Sequence, residues 1–320
     1  ALNKITGEFD IPLLTDLLKD INDSGFDVSL TGFDADEIDI LFRDSVVAGV
    51  KEDEFDKPLP EKPISRQGDI WMLGKHKLIC GDSTKPETYS MLMEGQKASL
   101  IVTDPPYNVA YEGNAGTIKN DNMESQKFHE FLLSAFKCMY ENLADGGSIY
   151  VFHADRETVN FRTAFSEAGF FCHQTCIWVK NTPVLGRCAY QYNHEPILMG
   201  WKPTAGHQWY ADRKQRTTWN FDRPSKSKYH PTMKPVALVA YPIVNSSLSN
   251  SIVLDPFGGS GSTLIACEQT GRVCHTIELD EKYVDVIVER FRVFKGFDEG
   301  IYLLRDGEKI CYEKAREINK

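Results

Sequence analysis

Three hundred and twenty residues suffice for one large α/β domain with a small appendage, or for two modest domains. With 42% hydrophobic and 26% charged residues the chain has ordinary globular proportions, which exclude a disordered, collagenous or coiled-coil main state. Apolar runs of a few residues exclude a membrane-spanning helix, and the net charge of −10 is unevenly held, residues 1–66 carrying 7 basic and 16 acidic side chains.

The N-terminal Ala1-Leu2-Asn3-Lys4 shows no charged-then-apolar leader, so no secretory signal is expected. Asp10 is placed to cap a helix with Pro12 in its first turn, and Ile11, Leu14, Leu17, Leu18 and Ile21 form its apolar stripe. Asp34-Ala35-Asp36-Glu37 is a capping-box signature ahead of Ile38, Leu41 and Phe42. Residues 51–66 are charged, contain three prolines and have no period, the pattern of a linker. The first 66 residues therefore read as an acidic helical appendage, and removing residues 1–60 is expected to leave the activity of the remainder in place.

From 67 to 320 the pattern alternates. Lys77–Cys80, Ser99–Thr103, Ser148–His153, Phe170–Val179, Pro196–Trp201, Ser251–Leu254 and Val273–Ile277 read as strands. Phe128 to Leu143 keeps a helical period and is expected to end at Gly146-Gly147. Asp155 is expected to cap a helix ending near Gly169, and Glu281–Phe294 reads as a further helix. Alternating strands and helices predict an α/β, Rossmann-like, doubly wound and mostly parallel sheet. The eight cysteines include no Cys-x-x-Cys pair, so a reduced cytosolic compartment is expected. Cys172 and Cys176 lie four residues apart on a predicted strand, roughly 13 Å, too far for one tetrahedral metal ion. No metal is expected.

Two constellations carry chemistry. In the first, the strand ending at Asp255 runs into Pro256-Phe257-Gly258-Gly259-Ser260-Gly261, and a helix begins at Ser262. Glycines at a strand's carboxyl end let a ligand approach the backbone. No Gly-Lys-Ser/Thr closes a phosphate loop, and Leu264 stands where a third glycine would complete a dinucleotide fingerprint. The next strand ends in Glu278, suited to two ribose hydroxyls, so the turn suits a nucleoside without pyrophosphate, such as S-adenosylmethionine. In the second, Asp104-Pro105-Pro106-Tyr107 follows the strand Ser99–Thr103. The prolines give a rigid turn that presents carbonyl oxygens, and a carboxylate, a carbonyl and a ring together suit an amino group on a flat base.

Asp104-Pro105-Pro106-Tyr107 together with Asp255–Gly261 resembles the amino-methylating DNA methyltransferases that use S-adenosylmethionine. The order, with His230-Pro231-Thr232-Met233-Lys234-Pro235 between the two motifs, is similar to the β group of that family. The resemblance spans roughly 68–295. It implies catalytic roles for Asp104, Pro105, Pro106 and Tyr107. It implies cofactor contacts from Asp82, Asp104, His230, Thr232, Lys234, Asp255, Phe257, Gly258, Gly259, Gly261, Thr263 and Glu278. Tyr192–Ile197 matches the segment before the family's target-recognition region, and residues 1–66 resemble the closing helices of a ParB-like domain.

Residues 180–234 hold ten basic groups against three acidic ones, interleaved with Tyr190, Tyr192, Trp201, Trp209, Tyr210, Trp219, Phe221 and Tyr229. Cations neutralise phosphates and aromatics stack on displaced bases. A basic recognition insert is therefore expected at about 200–229, with Arg187, Arg213, Lys214, Arg216, Arg223, Lys226 and Lys228 on DNA. The reading is a site-specific N6-adenine DNA methyltransferase acting on duplex DNA by base flipping, cytoplasmic in a bacterium or encoded by its phage. Its alternatives are an N4-cytosine enzyme, in whose relatives Ser often replaces Asp104, a nicotinamide oxidoreductase, and a catalytically idle DNA-binding regulator. A homodimer and a cognate restriction nuclease are both compatible with it.

Overall fold

The computed structural model describes residues 9–53, 55–110, 112–113, 116–117, 119–184, 189–223 and 233–317. Helices α1 (Ile11–Asp23) and α2 (Ala35–Gly49) form the N-terminal unit. The Leu13 N–H donates to Asp10 Oδ1 at 3.2 Å, and Asp34 and Glu37 close a reciprocal capping box with both bonds at 2.9 Å, as the sequence predicts. The apolar stripe of α1 is only partly covered: Leu18 is buried, whereas Ile11 and Leu17 are exposed.

The remainder runs in chain order β1 (Ile70–Leu73), β2 (His76–Cys80), α3 (Pro86–Met93), β3 (Ala98–Thr103) and a small hairpin, β4 (Glu112–Gly113) with β5 (Gly116–Thr117). Next come α4 (Ser125–Asn142), β6 (Leu143–Phe152), α5 (Thr158–Glu167), β7 (Phe171–Val184), β8 (Tyr192–Trp201) and β9 (Thr218–Asn220). The chain continues with α6 (Val236–Ser246), β10 (Ile252–Asp255), α7 (Ser262–Gln269), β11 (Val273–Glu278), α8 (Glu281–Lys295), β12 (Ile301–Arg305), β13 (Glu308–Cys311) and α9 (Tyr312–Glu317).

Eleven strands make one sheet in the order β13-β12-β1-β2-β11-β10-β3-β6-β8-β7-β9. The centre, β2-β11-β10-β3-β6, is parallel, and both wings add antiparallel pairs. Successive side chains of each central strand feed opposite faces. Leu78, Leu100 and Val102 join a core with α6, α7 and α8, while Ile79 and Ile101 join one with α3, α4 and α5. Helices on both faces make the sheet doubly wound, as expected. Neighbours β3 and β10 lead away in opposite directions, β3 through α4 to β6 and β10 through α7 to β11. The chain therefore parts at their carboxyl ends, the place where such sheets bind ligands.

Three expectations are corrected. Gly146 and Gly147 do not end α4, which stops at Asn142; they lie inside β6. Gly146 has φ +72°, and a Cβ there would collide with the Gly206 carbonyl, so the glycine serves the close approach of the 202–208 loop. Asp155 opens a 3-10 turn and makes no side-chain cap. The predicted linker is docked. The Lys51 N–H donates to Gln269 Oε1 at 2.9 Å, and Gln269 Nε2 donates back to Lys51 O at 2.8 Å. The Ile64 and Ser65 N–H groups donate to Asp285 at 2.6 and 3.1 Å.

Candidate active site

The turn after β10 is built around two acids. Thr103 Oγ1 at the end of β3 donates to Asp255 Oδ1 at 2.8 Å, joining the two strands where the chain parts. The Phe257 N–H reaches the same oxygen at 3.1 Å. Gly258 packs so closely on β11 that a Cβ would lie 2.6 Å from Thr276 Oγ1. Gly259, at φ +52°, turns its N–H onto Glu278 Oε2 at 2.8 Å, and the Asp280 N–H meets Glu278 Oε1 at 2.8 Å. Gly261, at φ +87°, is the N-cap of α7, so the helix begins at Ser262 as predicted. Beside Glu278, Gly81-Asp82 follow the end of β2, and the Gly81 N–H donates to Glu278 O at 2.9 Å. Burial pushes Asp255 up to about 7 despite bonds from Thr263 and Thr103, and pushes Glu278 up to about 7 despite its two backbone donors.

These groups line a cavity of about 570 Å³ that continues to Asp104, Pro105, Pro106 and Tyr107. That is the size of a small-molecule site. Thr263, Phe257, Asp82 and Lys234 also line it, whereas Gly261, expected at the cofactor, is not among its lining residues and serves as the N-cap of α7. His230 and Thr232 lie outside the described residues.

At the far end two carboxylates, two ammonium groups and a phenol interlock. Lys234 Nζ sits 2.6 Å from Asp104 Oδ2 and 3.3 Å from Glu195 Oε2, and Lys180 Nζ is 2.5 Å from Glu195 Oε1. The Tyr107 hydroxyl donates to Asp104 Oδ1 at 2.5 Å and to Glu195 Oε2 at 3.2 Å. Asp121 Oδ1 accepts the Tyr107 N–H at 2.9 Å, fixing the turn. Burial raises the pKa of Asp104 against the pull of Lys234. Burial opposes ionisation of Glu195 too, but Lys234 and Lys180 together hold its carboxyl below the usual range. Asp104 keeps 31% of its side-chain surface open, so a ligand in the cavity can reach it. Lys234, expected at the cofactor, thus bridges the two acids. Glu195 and Lys180 went unrecognised as site residues. Their signal is a charge at one end of an apolar run on each of two strands, Lys180 after Ile177-Trp178-Val179 on β7 and Glu195 before Pro196-Ile197-Leu198 on β8.

The basic stretch is less uniform than its charge count. Lys180 and Lys234 are spent on the cluster, and Lys202 Nζ pairs with Asp145 at 3.5 Å. Arg213, Lys214 and Arg216 are exposed between β8 and β9, and Arg223 lines the cavity. Arg187, Lys226 and Lys228 lie outside the described residues. Among the aromatics, Tyr190, Tyr192 and Trp209 are exposed, but Trp219 is buried and Phe221 packs on the core, so these two hold β9 in place. Among the described residues no helix is long and apolar enough to cross a membrane.

A doubly wound sheet with a glycine turn, a buried and a half-buried acid and an acid–amine cluster at its switch point defines an α/β enzyme that sets a nucleoside-type ligand beside a polar reaction centre. Residues 98–289 match the family model described as DNA methylase, and residues 12–67 match the ParB-methyltransferase HTH domain. The type II methyltransferase M.HpaI of Haemophilus parainfluenzae is 28% identical over 245 residues, covering 69% of this chain and 76% of that protein. The type II methyltransferase M.HinfI of Haemophilus influenzae is 28% identical over 242 residues, 65% of this chain and 67% of that protein. Among solved structures, the M1.HpyAVI–SAM complex superposes with a TM-score of 0.51 at 25% identity, covering 67% of this chain and 98% of that one. The cytosine-N4-specific PvuII DNA methyltransferase shares the fold, with a TM-score of 0.56 at 17% identity over 73% of this chain and 90% of that one. The chain belongs to the DNA methylase family.

Proposed function

We propose that this chain methylates the exocyclic N6 amine of adenine in duplex DNA at a specific sequence, with Asp104 and the Pro105 carbonyl as acceptors for the amine hydrogens. S-adenosylmethionine is the methyl donor. The donor set of the cavity fits it: Asp82, Asp255, Glu278 and Asp280 line one end, a chemistry that accepts hydroxyl donors and favours a cationic ligand over a pyrophosphate. Glu278 would take the ribose hydroxyls, with the glycine turn and Asp255 beneath the rest. When bound, the cofactor supplies an electrophilic sulfonium methyl.

The observation that carries the reading is the open face of Asp104, held at the carboxyl end of β3 in the same cavity as the glycine turn. An aromatic amine is a poor nucleophile because its lone pair is delocalised into the ring. Two acceptors on its hydrogens favour a pyramidal nitrogen, and Asp104 can take the proton released on transfer. Lys234 offsets the burial of Asp104 and supports its ionised, accepting form. Most of the acceleration then comes from positioning. The target base must leave the helix, at a cost of a few kcal/mol that stacking in the pocket offsets in part. Exposed Arg213, Lys214 and Arg216 would meet phosphates. In this reading 1–66 is the helical N-terminal unit and 67–320 the catalytic domain.

The division of roles is testable with two variants. Asp104→Ala is expected to abolish methyl transfer while leaving S-adenosylmethionine affinity largely intact, and Glu278→Ala to weaken that affinity first. Calorimetry showing the reverse order would overturn the assignment.

A further inference from the structure

We propose that Glu52 and Asp53, in the segment that reads as a linker, are positioning residues of the cofactor site, clamping the start of α6 and the glycine turn from behind. The proposal rests on the reading of the cavity as the S-adenosylmethionine site.

Helix α6 begins two residues after Lys234, and its N-cap is Pro235, which has no side-chain acceptor to offer. The first amides of a helix need one. Glu52 supplies it from 184 residues away in sequence: Oε2 accepts the Val236 N–H at 2.9 Å and Oε1 the Ala237 N–H at 3.0 Å, a carboxylate at the positive end of the helix. Next along the chain, Asp53 grips Arg290 of α8 with both oxygens, Nε at 2.7 Å and Nη2 at 2.6 Å. The guanidinium is planar, so that fork fixes where its remaining edge points. It points at the glycine turn: Nη1 donates to Ser260 O at 3.0 Å and reaches Ser262 Oγ at 3.2 Å. Ser262 Oγ in turn donates to Lys234 O at 2.8 Å.

Both carboxylates therefore end on the same machinery. Ser260, Ser262 and Lys234 line the cavity, and a single buried arginine, 1% exposed, separates Asp53 from the turn. Without Asp53 an unpaired guanidinium charge would sit beneath the turn, strongly destabilising that placement. The expectation that residues 1–60 are dispensable is thereby reversed: their removal takes away both clamps.

The test uses the full chain and four variants. Asp53→Asn breaks the fork, and Glu52→Gln weakens the cap at an exposed position that does not threaten folding. Asp39→Asn is the control: it breaks an equally buried pair, Asp39–Arg272 at 2.9 Å, whose partners Ser247, Ser249 and Thr270 lie outside the cavity lining. S-adenosylmethionine is titrated calorimetrically, melting temperatures are recorded, and kcat and KM are separated. Asp53→Asn is expected to weaken cofactor binding about tenfold, equivalent to ~1.4 kcal/mol, and Glu52→Gln by a smaller factor. In both, KM for the cofactor rises while kcat at saturation holds. Asp39→Asn is expected to lower the melting temperature with unchanged affinity, and Asp53→Glu to restore part of the loss. Wild-type affinity in both clamp variants, or an equal loss in the control, would overturn the proposal. Failure of the wild-type chain to bind S-adenosylmethionine would instead overturn the reading beneath it.

Discussion

Replacing Lys234 with Met removes the one ammonium that touches both acids of the cluster and keeps most of the side chain's volume. Nζ lies 2.6 Å from Asp104 and 3.3 Å from Glu195, and at an effective dielectric of about 20 a contact this short is worth several kcal/mol of attraction. Breaking a buried pair by deleting one partner costs about 3–5 kcal/mol. Glu195 retains Lys180 at 2.5 Å, so the loss falls mainly on Asp104, whose burial already favours its neutral form. A protonated Asp104 is a weaker acceptor for the amine hydrogen and cannot take the proton released on transfer. Single-turnover transfer to a duplex at pH 7, with cofactor and DNA saturating, should therefore fall by about 10²–10³-fold, the rate equivalent of roughly 3–4 kcal/mol. The sign follows from the acid: transfer rises with pH as Asp104 ionises, and the variant's rise moves to higher pH, so activity recovers in part under alkaline conditions. An unchanged pH profile with a weakened cofactor affinity would refute this and return Lys234 to the cofactor contact expected from sequence.

Further outcomes follow from the same geometry. Glu278 has its pKa raised by burial to about 7, so its neutral form stabilises the fold at low pH, and that contribution is lost as pH rises through about 7. Glu278→Gln should gain melting temperature relative to wild type between pH 5 and 8, and a constant difference would contradict the assignment. Gly258→Ala places a Cβ 2.6 Å from Thr276 Oγ1; overpacking of this kind costs about 1–3 kcal/mol. Thermal unfolding of that variant at wild-type temperature would show that β11 can yield. Replacing Arg213, Lys214 and Arg216 together with Ala should reduce the slope of log DNA affinity against log salt by up to about 2.7, and an unchanged slope would make the segment a solvated face.

The parts legible in the sequence are those where chemistry and local conformation coincide. Asp255 before a glycine turn, Asp104 before two prolines and the Asp34–Glu37 cap each announce themselves within a few residues, because the backbone they require is local. What stayed hidden depends on partners far along the chain. Glu195 and Lys180 meet only because β7 and β8 pair antiparallel, and neither neighbourhood reveals the other. The wings include strands too short to show a period, such as β1, which pairs antiparallel with β2 and β12, and β9, which pairs in parallel with β7. Residues 51–66 look like a tether because their contacts are with Gln269, Asp285 and Arg290, more than two hundred positions away. Part of the apparent surplus of charge in 180–234 is similarly misleading: Lys234 and Lys202 are paired with Asp104 and Asp145, acids that the fold brings in from outside the segment.

Analysis of the methylated product tests the central claim most directly. Duplex DNA treated with the purified chain and S-adenosylmethionine is digested to nucleosides and separated by mass spectrometry. The account predicts N6-methyldeoxyadenosine, absent when Asp104→Ala is used instead. N4-methyldeoxycytidine as the sole product, or full methylation by the Asp104 variant, would contradict it.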